Sequence, residues 1–283
     1  MIDEHPDQPL TSLVQLAAIG NSTYELGGLQ LHPGDGERES AAQLLADDAM
    51  QIRCGNSPLL ELWRLRRNDG PKEPDSRTKA LKVYAGLGFG LPEEAASEDH
   101  LQGLVAELFW NRLIKERKVC PDSRALVHAH SVKPDPLEPG GDGLAIYRRP
   151  DGVLVFRLWE IKKHARRDSI SGTIGRASKQ LVHRGHEYLA KLAGPETIEQ
   201  GGDLGSLYAE MVELWIDQTD RAGVGVSIST SSNRAPKTAR AFGSILRAFP
   251  AYAGPGQAEG LVIAMPEFPQ FAKRVRKIVW SGL

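Results

Sequence analysis

The segment LVFRLWEIKKH, residues 154–164, alternates along its length with a period of two. Its even-numbered residues up to Leu158 are all apolar and fall on one face of an extended chain, which predicts a β-strand with a core-facing row. Glu160 and Lys162 continue the same row, because residues two apart on a strand share a face. A core-facing row that ends in a carboxylate and an ammonium group has two interpretations. It is either a solvated ion pair of little energetic value or part of a chemical site.

The elements around this strand have clear signals of their own. A serine cap, early acids and a basic end predict a helix over 97–117, and the Pro-Asp-Gly turn at 150–152 predicts a hairpin. The predicted core elements, in chain order, are a helix at 97–117, strands at 125–132, 142–149 and 153–162, a helix at 172–192 and a strand at 223–230. Further predicted elements are helices at 204–217, 236–248 and from 267 onward, and a strand at 261–266. The order α-β-β-β-α-β predicts the α/β class, with a mixed sheet and helices packed on it.

The composition is ordinary for a globular protein, with 283 residues, 41% of them hydrophobic and 25% charged. No basic, apolar leader and no membrane-length apolar run is visible, so we expect a cytoplasmic protein that does not act at a membrane. The two cysteines, Cys54 and Cys120, form no CxxC pair, which argues against a disulfide scaffold or a zinc knuckle. No GxxxxGK[ST] motif occurs, so we expect no nucleotide cofactor.

The first third of the chain differs from the rest. We divide the chain into an acidic, helical region at 1–95 and a second domain at 96–283. Two short helices are predicted within 41–67, broken near Gly55, and LKVYAGLGFGLP (81–92) is expected to hold a short strand. Two roles are open for the N-terminal region: it docks a partner or covers a ligand groove, or it only completes the fold.

Charge is unevenly spread, although the formal net charge is only −1. Residues 1–50 hold nine acidic residues against one basic residue, Arg38, whereas residues 157–191 hold nine basic residues against three acidic ones. A basic surface beside an acidic segment suits a polyanionic ligand. Two solvated faces of opposite sign are the alternative.

Three carboxylates and one lysine form a coherent chemical set. Asp142 opens the second predicted core strand, over 142–149, where it is expected to lie beside Glu160 and Lys162 at one edge of the sheet. Glu107 lies on the helix over 97–117, next to its apolar stripe, and a carboxylate that leans toward a core is costly unless it is paired or binds a metal. Carboxylate oxygens are the ligands that Mg²⁺ prefers, so the set predicts a site for Mg²⁺ (or Mn²⁺) with Lys162 handling water or negative charge.

These residues, in this order and on these elements, resemble the PD-(D/E)xK nuclease superfamily. The resemblance covers roughly residues 97–230 and rests on Asp142 followed by Glu160-Ile161-Lys162, although Gly141 stands where the motif's name has proline. It implies a restriction-endonuclease-like core, Mg²⁺-dependent hydrolysis of DNA phosphodiester bonds, and catalytic roles for Glu107 in the first core helix and Gln180 in the helix after the motif. The metal ligands that it implies are Asp142, Glu160 and Glu107.

Within that superfamily, AELFWNRLI, GGDGLAIY and LWEIKKH are most similar to the nuclease subunit (HamA-like) of Hachiman-type anti-phage systems. That similarity implies a helicase/ATPase partner and a role in antiviral defence. A catalytically inactive subunit of the same shape, acting as a nucleic-acid-binding or assembly scaffold, is the alternative.

Basic residues after the motif are expected to bind DNA phosphates without reading sequence. They are Lys163, Arg166, Arg167, Arg176, Lys179 and Arg184. His128 and His130 share a face of the strand over 125–132, but with no third ligand in view we interpret them as packing or surface residues.

Overall fold

The computed structural model describes residues 9–18, 24–28, 36–70, 75–133, 141–165 and 169–283. The helices are α1 (Leu10–Leu13), α2 (Gly36–Cys54), α3 (Pro58–Arg67), α4 (Ser76–Phe89), α5 (Glu98–Glu116), α6 (Ile170–Glu199), α7 (Gly202–Ile216), α8 (Gly243–Ala248) and α9 (Phe268–Ser281). The strands are β1 (Gln15–Ala18), β2 (Tyr24–Gly28), β3 (Gly90–Leu91), β4 (Glu94–Ala95), β5 (Ala125–Ala129), β6 (Gly143–Arg148), β7 (Leu154–His164), β8 (Val224–Ser231) and β9 (Ala258–Met265). None of the helices in these ranges is both long and apolar enough to cross a lipid bilayer.

Within the described ranges, a seven-stranded mixed sheet has the order β1-β2-β9-β8-β7-β6-β5. The hairpin of β6 and β7 and the pairs β5–β6 and β1–β2 are antiparallel, whereas β2, β9, β8 and β7 run parallel. The predicted mixed α/β architecture is therefore confirmed. The predicted elements α5, β5, β6, β7, α6 and β8 also occur in the predicted order, with α7 inserted before β8.

Helices cover both faces of the sheet. Leu158 on β7 and Ile146 on β6 pack in the core beneath α6, α7 and α8, whereas Trp159 and Tyr147 pack in a second core beneath α2, α5 and α9. The alternation that predicts β7 is thus present, but its odd-numbered row is buried too. A strand with helices on both faces has no solvent-exposed side. An alternation with a period of two residues cannot distinguish such a fully buried strand from one that is exposed on one face.

One odd-numbered position of β7 carries a buried charge. Arg157 is only 1% exposed, and its Nε lies 3.6 Å from Glu259 Oε1 while also donating to the Gly256 carbonyl oxygen. Arg124 donates to the same Glu259 oxygen at 2.5 Å. Glu259 on β9 therefore pairs with Arg157 and shares Arg124 with Asp122, which connects β7 with the loop before β5.

The N-terminal third contributes to the same sheet and core as the rest of the described chain. β2 pairs in parallel with β9, and the apolar face of α2, including Leu45 and Met50, is fully buried in the core that also contains α5 and α9. These contacts favour the alternative in which the segment completes the fold. A partner-docking or groove-covering role for residues 1–95 stays a prediction.

Two predicted elements differ from the structure. Most of the segment over 81–92 is the end of α4, and the expected strand shrinks to Gly90–Leu91, which pairs with Glu94–Ala95. The helix is set by its start, where Asp75 Oδ1 accepts a hydrogen bond from the Thr78 amide at 2.8 Å as an N-terminal cap. The predicted helix over 236–248 is a 3₁₀ turn at Ala239–Phe242 followed by the short α8.

Candidate active site

The predicted site residues meet where β6 begins beside the C-terminal half of β7. Gly143 is the register partner of Trp159, so the preceding residue, Asp142, lies beside Glu160. The Ile161 amide donates to Asp142 Oδ2 at 2.9 Å, which anchors the carboxylate to the neighbouring strand. The hairpin that joins β6 and β7 thus brings two acids that are far apart in sequence to one end of the sheet.

Glycines flank Asp142 because α5 and α6 pack closely against the two sides of the chain at this point. A Cβ at Gly143 would lie 2.4 Å from the Trp110 ring of α5, and a Cβ at Gly141 would lie 3.1 Å from Tyr188 Cβ of α6. A side chain at Gly143 would therefore force α5 away from the sheet. Close packing of α5 is what brings the acid on that helix toward Asp142.

Lys162 lies between the two strand acids. Its Nζ is 3.3 Å from Asp142 Oδ2 and forms an ion pair with Glu160 Oε1. Burial lowers the pKa of Lys162, but the charges of Asp142 and Glu160 outweigh burial and hold the pKa above its usual value. The ammonium group therefore stays charged and acts as a fixed positive charge rather than as a base.

Glu160 is the most unusual residue of the site. Its side chain is completely buried, and its Oε1 contacts the Lys162 ammonium group. Burial and the charge of Asp142 together raise the pKa of Glu160 to about 8, against the opposing effect of Lys162. A buried carboxylate that shares one ammonium group with a second acid is costly, so a further positive charge at this position would be stabilising.

Glu107 approaches the same place from α5. Burial is the main cause that raises the pKa of Glu107, followed by the charge of Asp142, whereas the charges of Lys162 and Lys133 lower it. A cleft of about 210 Å³ opens beside Glu107 and the Lys162 side of β7. The cleft is lined by Asp99, His100, Gly103, Leu104, Glu107, Ile161, Lys162 and Lys163.

The donor set fits a hard divalent cation. Three carboxylates face one lysine, and Mg²⁺ in proteins is commonly held by one or two carboxylates together with water and substrate oxygens. Asp142 and Glu160 are the two acids close enough to share a cation, since both contact the same ammonium nitrogen. At least one pair among these three acids is further apart than 4.8 Å, because they are not among the described side chains whose ligand atoms all lie within that distance of one another.

Gln180 is not in hydrogen-bond contact with the three acids. Its Nε2 donates to the Tyr188 hydroxyl at 2.8 Å, and Tyr188 in turn packs on Gly141, the residue before Asp142. Gln180 therefore reaches the site only through the packing of α6, and a direct catalytic role stays a prediction.

The predicted DNA-binding residues lie on several surfaces. Lys163 forms an ion pair with the exposed Asp99 at the cleft, while Arg184 lies over the Tyr188 ring at 5.1 Å. Arg176 donates to Thr173 Oγ1 at 3.0 Å, and Lys179 is exposed on α6. Arg166 and Arg167 lie outside the described residues.

Sequence reasoning missed two features near this end of the sheet. Lys133, a residue with no motif signal, acts electrostatically on Glu107. Glu196 of α6 joins His128 and His130, and among the described residues these three form a group whose ligand atoms all lie within 4.8 Å of one another. No sequence signal links Glu196 to the histidines, because more than sixty residues separate them and only the packing of α6 on β5 brings them together.

No protein-family model matches this chain, and no curated protein matches it either. The functional interpretation therefore rests on the geometry and electrostatics of the site.

Proposed function

We propose that the protein is a metal-dependent nuclease that hydrolyses phosphodiester bonds of DNA. The observation that carries the proposal is Glu160, a fully buried carboxylate that shares the ammonium group of Lys162 with Asp142 at the end of the sheet. A structural ion pair does not require a second carboxylate, since Asp142 alone would neutralise Lys162. An excess of negative charge over positive charge is what a cation-binding site needs.

Each residue has a role that follows from its surroundings. Asp142 and Glu160 would hold a Mg²⁺ or Mn²⁺ ion, with Glu107 as a further acid at the cleft. A bound ion of this kind supplies Lewis-acid stabilisation of phosphate charge and a more acidic water molecule. Lys162, released from its contacts with the two acids, would turn toward the phosphate oxygens and stabilise the negative charge that develops there.

The arrangement of elements supports the proposed PD-(D/E)xK nuclease assignment. The assignment rests on an acid before β6, a Glu-x-Lys pair on β7 and an acid on α5, and the contacts among Asp142, Glu160 and Lys162 support it. The finer resemblance adds a helicase or ATPase partner and a role in anti-phage defence to the proposal. Lys163, Arg176, Lys179 and Arg184 would bind the DNA backbone.

One observation favours the alternative, an inactive subunit with a nuclease-like fold. Lys162 already contacts both strand acids, so part of their charge is neutralised without a metal. The two functions differ in one measurable property. An active nuclease must exchange the Lys162 contacts for a divalent ion, whereas an inactive scaffold keeps them.

Incubation of the purified chain with linear, circular and single-stranded DNA tests the proposal directly. We expect cleavage with Mg²⁺ or Mn²⁺, none with EDTA, and none by Glu160→Gln, which keeps the side-chain shape. Glu213→Gln is the matched control, because Glu213 is an exposed residue on α7, and this variant should cleave at the wild-type rate. Equal cleavage by Glu160→Gln and wild type would refute the assignment.

A further inference from the structure

A second cluster of ligand-type side chains lies on the edge strand, apart from the acids described above. His128 on β5, His130 just after this strand and Glu196 near the end of α6 place their ligand atoms within 4.8 Å of one another. The two imidazole rings meet edge to face, with centroids 5.0 Å apart. Ligand atoms on a tetrahedral zinc ion lie roughly 3.4 Å apart, given bonds of about 2.1 Å, so small side-chain rotations would close the group around an ion.

A β-bulge in β5 is what turns the histidines toward α6. Leu126 pairs with Tyr147, which packs beneath α5, but after a register shift His128 pairs with Ile146, which packs beneath α6 and α7. In a regular ladder without this register shift, His128 would pair with Ala145, and His128 and His130 would face the opposite side of the sheet, away from Glu196. Bulges of this kind commonly re-aim side chains at functional positions.

Neighbouring groups already hold two of the three side chains in place. The Tyr208 hydroxyl lies 2.9 Å from His130 Nε2, and Gln200 Nε2 donates to Glu196 Oε2 at 3.0 Å. In the tautomer whose Nε2–H donates to Tyr208, the lone pair of His130 is on Nδ1. Ligand residues in metal sites are typically oriented by such outer hydrogen bonds. Burial raises the pKa of Tyr208, so this residue serves as a hydrogen-bond partner and not as an anionic ligand.

We propose that His128, His130 and Glu196 bind a transition-metal ion, Zn²⁺ by preference, which links the edge strand β5 to the end of α6. Two imidazoles and one carboxylate suit Zn²⁺ far better than Mg²⁺, which prefers oxygen ligands. Three protein ligands leave a fourth position for water. The site shares no residue with the acids of the proposed nuclease, so this proposal can be tested independently of that function.

Titration of the metal-free full-length chain with Co²⁺, followed by visible absorption, tests this site. All measurements are made in a Glu160→Gln background, so that no ion is held by the acids at β6 and β7. We expect one Co²⁺ per chain, displaced by one equivalent of Zn²⁺ and retained in excess Mg²⁺. Zn²⁺ should also raise the Tm, because an ion that binds only the folded chain stabilises it.

Variants locate the ion. Glu196→Gln and His128→Ala should lose the Co²⁺ spectrum and the Zn²⁺-dependent rise in Tm, while Tyr208→Phe should weaken binding by about tenfold through loss of the outer hydrogen bond. The control is the double variant His183→Ala/His186→Ala, which removes two exposed histidines of α6 and should bind like the parent. Glu196→Gln keeps the shape of the side chain, so the test remains valid if His128→Ala fails to fold. No Co²⁺ binding by the parent, equal binding by Glu196→Gln, or loss of binding in the control would each overturn the proposal.

Discussion

Replacing Glu160 by Gln should make the metal-free protein more stable while it abolishes cleavage. Burial and the charge of Asp142 raise the pKa of Glu160 from 4.5 to about 8. Between these values the unfolded chain releases the Glu160 proton and the folded chain retains it, so the folded state loses stability as the pH rises through this window. A neutral amide at this position removes that loss, and Lys162 keeps Asp142 as its partner.

The expected gain follows from the desolvation cost of one buried polar group, about 1–3 kcal/mol. This corresponds to a rise in Tm of about 2 °C per kcal/mol for a chain of this size. Differential scanning calorimetry in EDTA at pH 5 and pH 8.5 measures the Tm of the wild type and of Glu160→Gln. We expect the two proteins to differ little at pH 5, where Glu160 is protonated in the folded state, and the variant to be the more stable at pH 8.5. Mg²⁺ should then raise the Tm of the wild type and leave that of Glu160→Gln unchanged.

A fall in the Tm of Glu160→Gln, instead of the expected rise, would refute this prediction. If Glu160 is only the structural partner of Lys162, its replacement leaves a partly buried ammonium group under-paired and destabilises the fold by up to about 3–5 kcal/mol. Glu213→Gln, the exposed control on α7, should change the Tm by less than the error at either pH. A variant that melts below the wild type at pH 8.5 would show that the carboxylate stabilises the fold and is not held at a cost for binding a cation.

Other residues give independent tests. Lys162→Met should abolish cleavage and leave DNA affinity near the wild-type value in a filter-binding assay; unchanged cleavage would exclude its proposed role in stabilising phosphate charge. Glu259→Ala removes the carboxylate that pairs with the buried Arg157 and leaves Arg124 with Asp122 alone, so it should cost about 3–5 kcal/mol in a urea titration, and a loss below 1 kcal/mol would contradict the buried ion cluster. A Cβ at Gly225 would lie 2.2 Å from the Trp159 ring, so Gly225→Ala should cost about 1–3 kcal/mol by overpacking; an unchanged urea midpoint would contradict that contact. Lys179→Glu should weaken binding equally for all DNA sequences and reduce the salt dependence by about one ion; a sequence-selective loss would mean that this lysine reads bases.

Local patterns predict much of the fold and the centre of the site. The even-numbered row of β7 leads directly to Glu160 and Lys162, and Ser97 caps α5 as expected, accepting from the His100 amide at 3.2 Å. A hairpin turn of three residues is enough to predict that Asp142 lies near Glu160. These inferences need only contacts between residues that are close in sequence or on consecutive strands.

Features that depend on distant packing could not be predicted in the same way. β2 pairs with β9, more than two hundred residues away, and no local pattern indicates that partner. The bulge between Leu126 and His128 shifts the register by one residue, and alternation alone cannot reveal which face the histidines occupy. Glu196 meets them only because α6 continues through Pro195 to Glu199, beyond the end at 192 that the sequence predicts.

The most direct test of the central claim is the anomalous difference map of a crystal grown with Mn²⁺. The account predicts a peak bound by carboxylate oxygens of Asp142 and Glu160, with Lys162 Nζ moved away from Glu160. A map without a peak between these two acids, in which Lys162 still contacts both carboxylates, would contradict the claim that this buried acid exists to hold a divalent cation.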